Sequence, residues 1–374
     1  MQKILHIPNY YKPHIGGIEQ TCHDIVESLT EKVQQKVICF SEDKTTKHEV
    51  INGIEVTKCG VWKKFLSQSI SFSYKKELKR ILKEFKPDCI IVHFPNPFVQ
   101  RYVLKFLKKS NIKLIVWYHT DIVKQKIIRQ FFKGQTRRLL NKAEHIICTS
   151  PIYSQMSQTL KNYQNKISII PSCINEKRLE IDEKTKEKAN QIRKDNLDKV
   201  IVFAIGRHVK YKGLTYLIEA SKYLDDRYAI YIAGQGPLTE ELKAQANEDS
   251  KITFLGKLDD TTLKAYYLVM DIYAFPSITK NEAFGLSLAE GMDFKHPAVT
   301  FTISGSGVNY VSLNEVTGIE VENSNAKAFA EAIHLLGQNE ELRDKYGLAA
   351  RKRVEDNFTF EKFKRNIISF FEEK

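Results

Sequence analysis

The sequence predicts an α/β fold made of two similar domains in tandem. Short apolar runs alternate with longer segments whose apolar residues recur at helical spacing, from the start of the chain to its end. Each half also opens with a strand that runs into a glycine-containing turn. Such alternation is typical of parallel sheets covered by helices. With 374 residues, 42% of them hydrophobic, the chain is long enough to build two substantial cores.

The first half contains five predicted strands. They are KILHIP, QKVICF, PDCIIVHF, IKLIVWYH and EHIICTS. Between them, apolar stripes at helical spacing over residues 18–29, 78–85 and 99–107 predict helices that face a core. We therefore place a first Rossmann-like domain over residues 1–175.

The second half repeats this plan after a highly charged stretch, INEKRLEIDEKTKEKANQIRKDNLDK, which we interpret as the linker region. A second domain is predicted over residues 196–357. Its strands are VIVFAIG, DRYAIYIAG, KITFLG, DIYAFPS, HPAVTFT and GIEVEN. The final segment, residues 358–374, is amphipathic and predicts a helix that packs back on the first domain.

Several protein classes are disfavoured by composition. No apolar run approaches the roughly 18 residues of a membrane-spanning helix, and the first residues turn polar too soon for a signal peptide, so we expect a cytoplasmic protein. The cysteines are scattered singly, which favours small core residues over a disulfide or zinc framework. They are Cys22, Cys39, Cys59, Cys89, Cys148 and Cys173.

The net charge of +13 is unevenly divided along the chain. Residues 1–175 hold 29 basic and 13 acidic side chains, a net charge of +16, whereas residues 176–374 hold 29 and 32, a net charge of −3. This division indicates an anionic surface that only the first half touches, with nucleic acid and an acidic membrane leaflet as candidates. Solubility alone is the other explanation.

The turn after the first strand reads Pro13-x-x-Gly16-Gly17-x-Glu19 and precedes an amphipathic helix. Adjacent glycines allow positive φ and a close approach of the backbone to a ligand. The helix start presents free N–H groups with a partial positive charge. A phosphate group would fit there, although glycine could equally serve the geometry of the turn alone.

The corresponding turn of the second half is GRHVKYKG, residues 206–213. Arg207 and Lys212 after a strand end are natural anion ligands, because a guanidinium binds phosphate in a bidentate manner and an ammonium supplies a point charge. His208 is better explained as a turn histidine than as a base.

A third segment, Glu282-Ala-Phe-Gly285-Leu-Ser-Leu-Ala-Glu290, follows the strand DIYAFPS. Glu282 would lie before a helix, Gly285 would admit a ligand to the first amides, and Glu290 would project further along. This pattern suits a nucleotide sugar: one carboxylate for sugar hydroxyls, amides for the diphosphate and a second carboxylate for ribose. Gly291 weakens the helix by about 1 kcal/mol unless packing needs the space.

Taken together, these segments resemble the retaining glycosyltransferases of family 4. The likeness extends over nearly the whole chain and includes the Pro13 to Glu19 turn, WYHTDIVKQK, TSP at 149–151, IPSCIN, GRHVKYKG, IAGQGP, FLG and the Glu-x7-Glu pair. It implies the GT-B fold, two Rossmann-like parallel-sheet domains facing across a cleft. HTDIV and NEAFG are most similar to the bacterial mannosyl- and rhamnosyltransferase branch of surface polysaccharide synthesis.

The resemblance assigns residues to the donor phosphates. Gly16 and Gly17 would approach the donor phosphate from the first domain. Arg207 and Lys212 would hold the diphosphate and stabilise the negative charge that develops as it leaves. These two cationic residues are therefore expected to be catalytic as well as donor-binding.

The resemblance also assigns the groups around the sugar and the ribose. Glu282 would meet hydroxyls of the donor sugar and count among the catalytic residues, whereas Glu290 would hold the ribose. The backbone amides that support the donor would be those around Phe284, Gly285 and Leu286.

On the acceptor side, the resemblance implies that His119 is a catalytic residue near the donor sugar and the acceptor, and that Asp121 also binds the acceptor. Transfer would retain the anomeric configuration, by same-face attack as the nucleoside diphosphate leaves. No metal or other cofactor is expected, and the chain has no Asp-x-Asp pair. Whether a side chain acts as general base stays open, since the departing phosphate oxygen could take the acceptor proton.

The expected activity is transfer of a hexose from a UDP- or GDP-sugar, with GDP-mannose favoured by the branch. The acceptor would be a lipid-linked glycan of capsule, exopolysaccharide or O-antigen synthesis. Residues 75–142 contain 18 basic and only 4 acidic side chains. The basic residues are interleaved with apolar stripes, and the range includes the segment KQKIIRQFFKGQTRRLL. We therefore expect peripheral attachment to the inner face of the cell membrane through the first domain.

Other functions on this pattern are a nucleotide-sugar epimerase, a phosphorylase and a sugar-nucleotide-binding protein without catalysis. An epimerase would change a UDP-sugar without any acceptor. A phosphorylase would need a pyridoxal lysine site, which we do not find. Nucleic-acid binding is disfavoured because the aromatic-and-glycine signatures of RNA-binding sheets are missing.

Overall fold

The computed structural model describes residues 1–14, 16–65, 68–121 and 126–373, apart from the side chains at 65, 109 and 126–131. Over these ranges the chain folds into two units. The first comprises Met1–Pro171 and Phe363–Lys374, and the second comprises Ser172–Lys362. The predicted α/β class is confirmed, because each unit contains a largely parallel sheet whose strands are joined through helices.

The sheet of the first unit has eight strands in the described residues, in the order β10-β9-β8-β7-β1-β2-β4-β3. The elements in chain order are β1 (Lys3–Ile7), α1 (Gly17–Leu29), β2 (Gln34–Phe40), β3 (Lys47–Ile51), β4 (Ile54–Cys59), β5 (Lys63–Phe65), β6 (Gln68–Ile70), α2 (Tyr74–Glu84), β7 (Cys89–Phe94), α3 (Pro97–Phe106), β8 (Lys113–Tyr118), α4 (Lys126–Lys142), β9 (His145–Cys148), α5 (Pro151–Met156) and β10 (Ile167–Ile169). The five predicted strands correspond to β1, β2, β7, β8 and β9.

Sequence analysis missed the strands β3 and β4, which form a hairpin at the edge of this sheet. They pair antiparallel around Asn52 and Gly53, whose φ angles are 50° and 78°. Two successive positive φ angles define the tight turn that suits the twist of a hairpin, and Asn-Gly is its strongest sequence signal. The Asn-Gly dipeptide therefore indicates this hairpin, although the apolar periodicity of the segment does not.

The sheet of the second unit has six strands in the described part of the chain, all parallel, in the order β13-β12-β11-β14-β15-β16. The elements in chain order are α6 (Glu176–Leu179), α7 (Glu183–Lys194), β11 (Val200–Ile205), α8 (Leu214–Ser221), β12 (Tyr228–Ala233), α9 (Thr239–Ala246), β13 (Ile252–Gly256), α10 (Asp260–Val269), β14 (Ile272–Phe275), α11 (Leu286–Asp293), β15 (Ala298–Phe301), α12 (Val308–Val311), β16 (Gly318–Val321), α13 (Ala326–Gln338) and α14 (Glu340–Asn357). All six strands predicted for this half are present.

The charged stretch 174–199, expected as a linker, instead forms α6 and α7 within the second unit. Asp182 caps α7 by accepting a hydrogen bond from the amide of Thr185 at 2.9 Å. Ala189 is buried, and Arg193 forms a 3.2 Å ion pair with Asp271 next to β14. Only a few apolar side chains among many charged ones attach these helices to the core, which explains why the apolar periodicity is weak.

The amphipathic C-terminal segment forms α15 (Phe360–Glu372), and from Phe363 onward it belongs to the first unit. The ring of Phe363 lies 6.1 Å from that of Trp117, and the ring of Phe370 lies 5.3 Å from that of His145. Ile367 is fully buried. The apolar stripe of α15 thus packs against residues of β8 and β9.

The connectivity of each sheet reverses beside the first strand of its unit. In the first unit, β1 lies between β2 and β7, and in the second unit β11 lies between β12 and β14. The loops that leave the carboxyl ends of such strand pairs diverge and leave a crevice, where open α/β sheets bind ligands. The predicted glycine turns follow β1 and β11, so the topology puts both of them at these positions.

Two further observations concern the disulfide or zinc frameworks and the membrane-spanning helices that composition disfavours. All six cysteines are free and buried, as predicted for core residues. No helix in the described residues is both long enough and apolar enough to cross a bilayer.

Candidate functional site

The loops after β11 and β14 lie against each other in the second unit. The amide of Ile278 donates a 2.9 Å hydrogen bond to the carbonyl of Tyr211. Gly213 has φ +63°, and a β-carbon there would collide with the carbonyl oxygen of Pro276. The glycine that ends GRHVKYKG is therefore required by this close approach, which brings the residues of one loop within reach of the other.

Lys212 and Glu282, predicted for the diphosphate and for the sugar, form an ion pair between these two loops. The Ser277 hydroxyl also donates to Glu282 Oε2 at 3.2 Å. Burial alone would lower the pKa of Lys212, but the neighbouring carboxylate of Glu282 outweighs it and holds that pKa above its ordinary value. Each side chain is 13% exposed, so the pair is shielded yet still reachable from solvent.

Arg207 lies in the same turn as Lys212, directly after Gly206, and is exposed. The ammonium of Lys212 lies 4.9 Å from the centre of the Phe275 ring, which closes one side of its surroundings. An exposed guanidinium and a shielded ammonium in one turn can neutralise a diphosphate from two directions.

Helix α11 is preceded by its N-cap residue Gly285, whose φ of +94° lies in the left-handed region that favours glycine. The carbonyl of Gly285 accepts from the amides of Leu288 and Ala289 at 3.0 and 3.1 Å. The amides of Leu286 and Ser287 precede any intrahelical acceptor, so they are the donors available to an anion.

The loop before α11 is held by the segment after β15. The hydroxyl of Ser306 donates to the main-chain carbonyl of Glu282, and a β-carbon at Gly307 would collide with the carbonyl of Ala283. Phe284 is 5% exposed, with its ring edge-on to Phe358 at 5.3 Å. Phe284 therefore contributes its backbone and its packing to the loop, while its side chain belongs to the core.

Glu290 is engaged by two residues that sequence analysis did not identify. One carboxylate oxygen pairs with Arg178 of α6, and the other accepts from the hydroxyl of Tyr267 at 3.2 Å. Burial raises the pKa of the Glu290 carboxyl, although Arg178 favours its charged form. Arg178 lies 112 residues away in the chain, so no local pattern could have indicated this contact.

The glycine after Glu290 has a packing reason. A β-carbon at Gly291 would lie 3.0 Å from the ring of Tyr273, closer than nearly all real contacts of that kind. The space is therefore needed, which offsets the low helix propensity of glycine at this position.

In the first unit, the Gly16 and Gly17 turn leads into α1, but the expected positive φ is absent. Gly16 has φ −175°, ordinary extended backbone, and Gly17 is not among the residues with positive φ. A β-carbon at Gly16 would instead collide with the carboxylate of Glu19. The glycine makes room for Glu19 to fold back over the start of its own helix, so an internal carboxylate occupies the region predicted for phosphate.

His119 follows β8 and is nearly buried. Its Nε2 lies 3.0 Å from Nδ1 of His93, a residue of β7 that sequence analysis missed, and the two rings are stacked. Burial lowers the pKa of His119 to about 3, so the imidazole is neutral near pH 7. A neutral ring can exchange hydrogen bonds with hydroxyl groups but offers no positive charge to a phosphate.

Asp121 is held by its own surroundings in the first unit. The hydroxyls of Tyr118 and Ser157 donate to its Oδ1 at 2.7 and 2.8 Å, and its amide donates to the hydroxyl of Tyr153 at 2.6 Å. These bonds fix the direction of the carboxylate after β8. Its part in binding an acceptor stays a prediction, as does that of His119.

Thus the structure brings Arg207, Lys212, Glu282 and the start of α11 together at the crevice of the second sheet. Glu290 lies further along α11 with its own cationic partner. Gly16, Gly17, His119 and Asp121 all lie in the first unit, in the segments that follow β1 and β8. The residue types of the second-unit set are those that bind an anion linked to a polyhydroxyl group.

Comparison with known proteins assigns both halves of the chain. Residues 15–178 match the model described as Glycosyltransferase Family 4, and residues 185–353 match Glycosyl transferases group 1. The chain is 30% identical to O-antigen chain mannosyltransferase C of Escherichia coli over 363 residues, 96% of this chain and 94% of the relative. The chain belongs to glycosyltransferase family 4. The predicted family is therefore confirmed.

A second relative of this glycosyltransferase is D-rhamnosyltransferase WbpZ of Pseudomonas aeruginosa, 28% identical over 96% of this chain and 92% of the relative. Both relatives belong to the branch expected from HTDIV and NEAFG. Among solved structures, sucrose-phosphate synthase of Thermosynechococcus elongatus has a TM-score of 0.82 at 18% identity, covering 100% of this chain and 99% of the other. Anabaena HepE, solved with UDP and glucose, has 0.79 at 16% with full coverage of both. These likenesses confirm the GT-B fold.

Proposed function

We propose that this glycosyltransferase moves a hexose from a UDP- or GDP-sugar to a lipid-linked glycan acceptor, with retention of the anomeric configuration. The product would be a bacterial surface polysaccharide such as capsule, exopolysaccharide or O-antigen. The relatives favour this setting, since one is named as an O-antigen chain mannosyltransferase and another as a D-rhamnosyltransferase. HepE, solved with UDP and UDP-glucose, favours a nucleotide-sugar donor.

The observation that carries the proposal is the Lys212–Glu282 pair. In a nucleotide sugar an oxygen of the β-phosphate is bonded to the anomeric carbon, so a phosphate ligand and a sugar-hydroxyl ligand must lie side by side. An ammonium and a carboxylate in contact at the sheet crevice satisfy this requirement. Donor binding would place phosphate oxygens beside Lys212 and sugar hydroxyls beside Glu282. Lys212 would exchange the carboxylate for another anion, and Glu282 would exchange the ammonium for hydroxyl groups that donate hydrogen bonds.

The rest of the donor would extend along α11. The amides of Leu286 and Ser287 would donate to the diphosphate, each contact contributing about 0.3–1 kcal/mol when exposed. Glu290 lies four residues after Leu286, about 6 Å further along the helix axis at 1.5 Å per residue, a distance that suits the ribose. Arg178 and Tyr267 hold its carboxylate, leaving lone pairs for ribose hydroxyls.

In the transfer step, the bond between the anomeric carbon and the phosphate oxygen breaks as a bond to the acceptor oxygen forms on the same face. The acceptor proton passes to the departing phosphate oxygen. Arg207 and Lys212 stabilise the charge that accumulates on the diphosphate. We propose that these cationic groups and the α11 amides make a metal ion unnecessary for this step, and that His119 and Asp121 orient the acceptor.

Membrane attachment through the first unit is the second part of the proposal. Exposed basic side chains project from α2 and α3. Phe72, just before α2, is 74% exposed, and Trp62, just before β5, is 55% exposed, with their ring centres 5.3 Å apart. Exposed aromatic rings beside cationic side chains suit the interface of an anionic leaflet, where rings enter the headgroup region and cations meet lipid phosphates.

The predicted membrane segment KQKIIRQFFKGQTRRLL lies partly outside the described residues, including 124–125 and the side chains at 126–131. In its described part, Phe132 packs edge-on against Phe98 at 5.8 Å, and Leu139 and Leu140 are fully buried. These apolar residues face the protein, so the Trp62–Phe72 pair is the better candidate for entering lipid.

The proposal is tested by incubating the purified protein with GDP-mannose, UDP-glucose, UDP-galactose and the N-acetylated UDP-sugars. We expect slow release of nucleoside diphosphate from one of them, unchanged by added Mg²⁺ or Mn²⁺. Addition of a lipid-linked acceptor should accelerate that release, and NMR of the product should show the donor's anomeric configuration. Isomerised UDP-sugar without release would indicate an epimerase, and binding without either reaction would indicate a non-catalytic protein.

A further inference from the structure

Three buried side chains in the core of the first unit converge on one point without belonging to the candidate donor site. They are His6 of β1, Cys22 of α1 and His93 of β7, and each is 0% exposed. One ligand atom from each lies within 4.8 Å of those from the other two. The strands β1 and β7 are neighbours, and Cys22 of α1 lies close to both histidines.

The hydrogen bonds of His6 assign its tautomer. Its Nε2 lies 2.9 Å from Oε1 of Gln35, and the amide nitrogen of Gln35 donates to the carbonyl of Val26 at 2.9 Å. Because that bond fixes which end of the Gln35 amide is oxygen, His6 Nε2 must carry the proton. Nδ1 of His6 is then a bare lone pair, and among the described residues it has no hydrogen-bond partner.

His93 carries the second unmatched lone pair among these three side chains. Burial lowers the pKa of His93 well below its ordinary value, so the ring is neutral. Its Nδ1 lies 3.0 Å from Nε2 of His119, while its Nε2 is buried with no partner in the described part of the chain. A buried N–H without an acceptor is the costlier arrangement, so Nδ1 carries the proton and Nε2 is bare.

The thiol of Cys22 cannot satisfy both nitrogens. Its S–H group is a weak donor with one proton, whereas His6 and His93 present two lone pairs. A buried acceptor left unmatched is destabilising, because it has lost its hydrogen bonds to water. The two histidine nitrogens and the cysteine sulfur therefore lack an electron-pair acceptor that could contact all three atoms at once.

We propose that His6 Nδ1, Cys22 Sγ and His93 Nε2 bind one soft or borderline d¹⁰ metal ion, Zn²⁺ or Cu⁺. Two imidazoles and a thiolate form a donor set that suits these ions, whereas Mg²⁺ and Mn²⁺ prefer oxygen. On binding, the S–H bond breaks, a sulfur–metal bond forms and one proton leaves to solvent, with no change of oxidation state.

The surroundings of the two histidines match those of metal ligands. A ligating histidine usually donates its other ring N–H to a second group, which orients the ring. His6 donates to Gln35, and His93 donates to His119. The metal would join β1, α1 and β7 where the first sheet reverses, and the bond from His93 would connect it to His119. Binding of the metal does not require the proposed transferase chemistry.

The test uses the full-length protein after treatment with a chelator and a thiol reductant. Titration with Zn²⁺, and separately with Cu⁺ under anaerobic conditions, should each be read against a competing chelator. We expect one equivalent of one of these ions to bind and raise the melting temperature, and Mg²⁺ to do neither. The tighter of the two arms identifies the ion. Co²⁺ should give a thiolate-to-cobalt charge-transfer band.

Cys22→Ala should abolish this band and the tight binding, whereas Cys89→Ala, a buried cysteine of β7 outside the cluster, should keep both. Gln35→Ala, which removes the acceptor of His6, should weaken binding by roughly 10- to 100-fold. Cys22→Ser provides a second variant should the alanine change prevent folding. Absence of stoichiometric binding by either ion, or binding that Cys22→Ala and Cys22→Ser leave unchanged, would overturn the proposal.

Discussion

Lys212, predicted to bind the diphosphate, and Glu282, predicted to bind sugar hydroxyls, contact each other directly as an ion pair. Each side chain neutralises the other while the crevice is free of donor, so neither is left as an isolated shielded charge. Replacing either one therefore has a double effect: it removes a donor ligand and releases its partner. The two single variants should differ in which kinetic step suffers.

Lys212→Ala should weaken donor binding and slow transfer together, because it removes a phosphate contact present before and during bond breaking. The loss in kcat is expected to be roughly 100-fold, the range found when one charge-stabilising donor is removed. Steady-state transfer rates and donor calorimetry measure the two effects. Lys210→Ala, a neighbouring exposed lysine of the same turn, is the matched control, and wild-type turnover in Lys212→Ala would contradict the assignment.

Glu282→Gln should lower turnover while free nucleoside diphosphate binds as tightly as to the wild type or more tightly. The carboxylate is assigned to sugar hydroxyls, and its removal frees Lys212 for phosphate. Loss of a charged hydrogen bond predicts a decrease of roughly 10- to 100-fold in turnover. Calorimetry with UDP or GDP provides the second measurement. Lost diphosphate affinity would instead put Glu282 beside the phosphates.

Helix α11 shows how one element can position several ligands. Gly285 at its start allows the left-handed turn, its first amides are free for an anion, and Glu290 lies further along the same helix. The Glu-x7-Glu spacing was readable because it reflects one local element. Arg178, in contrast, reaches Glu290 from α6, which the sequence pattern interpreted as linker because its few apolar positions hide among charged ones.

Gly285→Ala and Gly53→Ala form a matched pair that separates backbone strain from function. Both glycines have positive φ, +94° and +78°, so each alanine should destabilise the fold by about 1–2 kcal/mol. A β-carbon at 285 would also meet Leu288 and Phe275 at 3.3 and 3.4 Å, whereas none of the described atoms lies within 4 Å at 53. Only Gly285→Ala should weaken nucleoside diphosphate binding, measured by calorimetry beside thermal melting. An equal loss of nucleoside diphosphate affinity in both variants would contradict the assignment of α11 to the donor site.

Considered over the whole molecule, the charge is concentrated in one unit. The first half carries +16 and the second −3, and the exposed aromatic pair Trp62 and Phe72 lies in the charged half. Each basic side chain near an anionic leaflet contributes about 1 kcal/mol, so several together can hold a protein that has no spanning helix in its described residues.

The protein should float with vesicles containing phosphatidylglycerol and not with pure phosphatidylcholine vesicles. Binding should disappear at 1 M salt, where the Debye length falls to about 3 Å. Trp62→Ala combined with Phe72→Ala should reduce binding by roughly tenfold through lost apolar burial. Tyr223→Ala removes an aromatic residue of the second unit that is 60% exposed and should change nothing. Equal flotation with both kinds of vesicle at low salt would contradict the proposed attachment to an anionic membrane surface.

Much of this protein was readable from local patterns. Strand and helix periodicity, glycine turns and the Glu-x7-Glu spacing each depend on residues close in the chain, and they predicted the α/β class, all six strands of the second sheet and the family. The same patterns placed Lys212 and Glu282 in separate turns and gave Gly16 a conformation that it does not adopt.

Contacts between distant residues depended on the packing of the sheets instead. The pairings of Lys212 with Glu282, of Glu290 with Arg178, and of His93 with His119 each join loops, helices or strands that are distant in the chain. Periodicity reports which face of an element is buried, but it carries no information about which other element covers that face. Partners, burial and the resulting shifts in pKa are therefore properties of the folded chain.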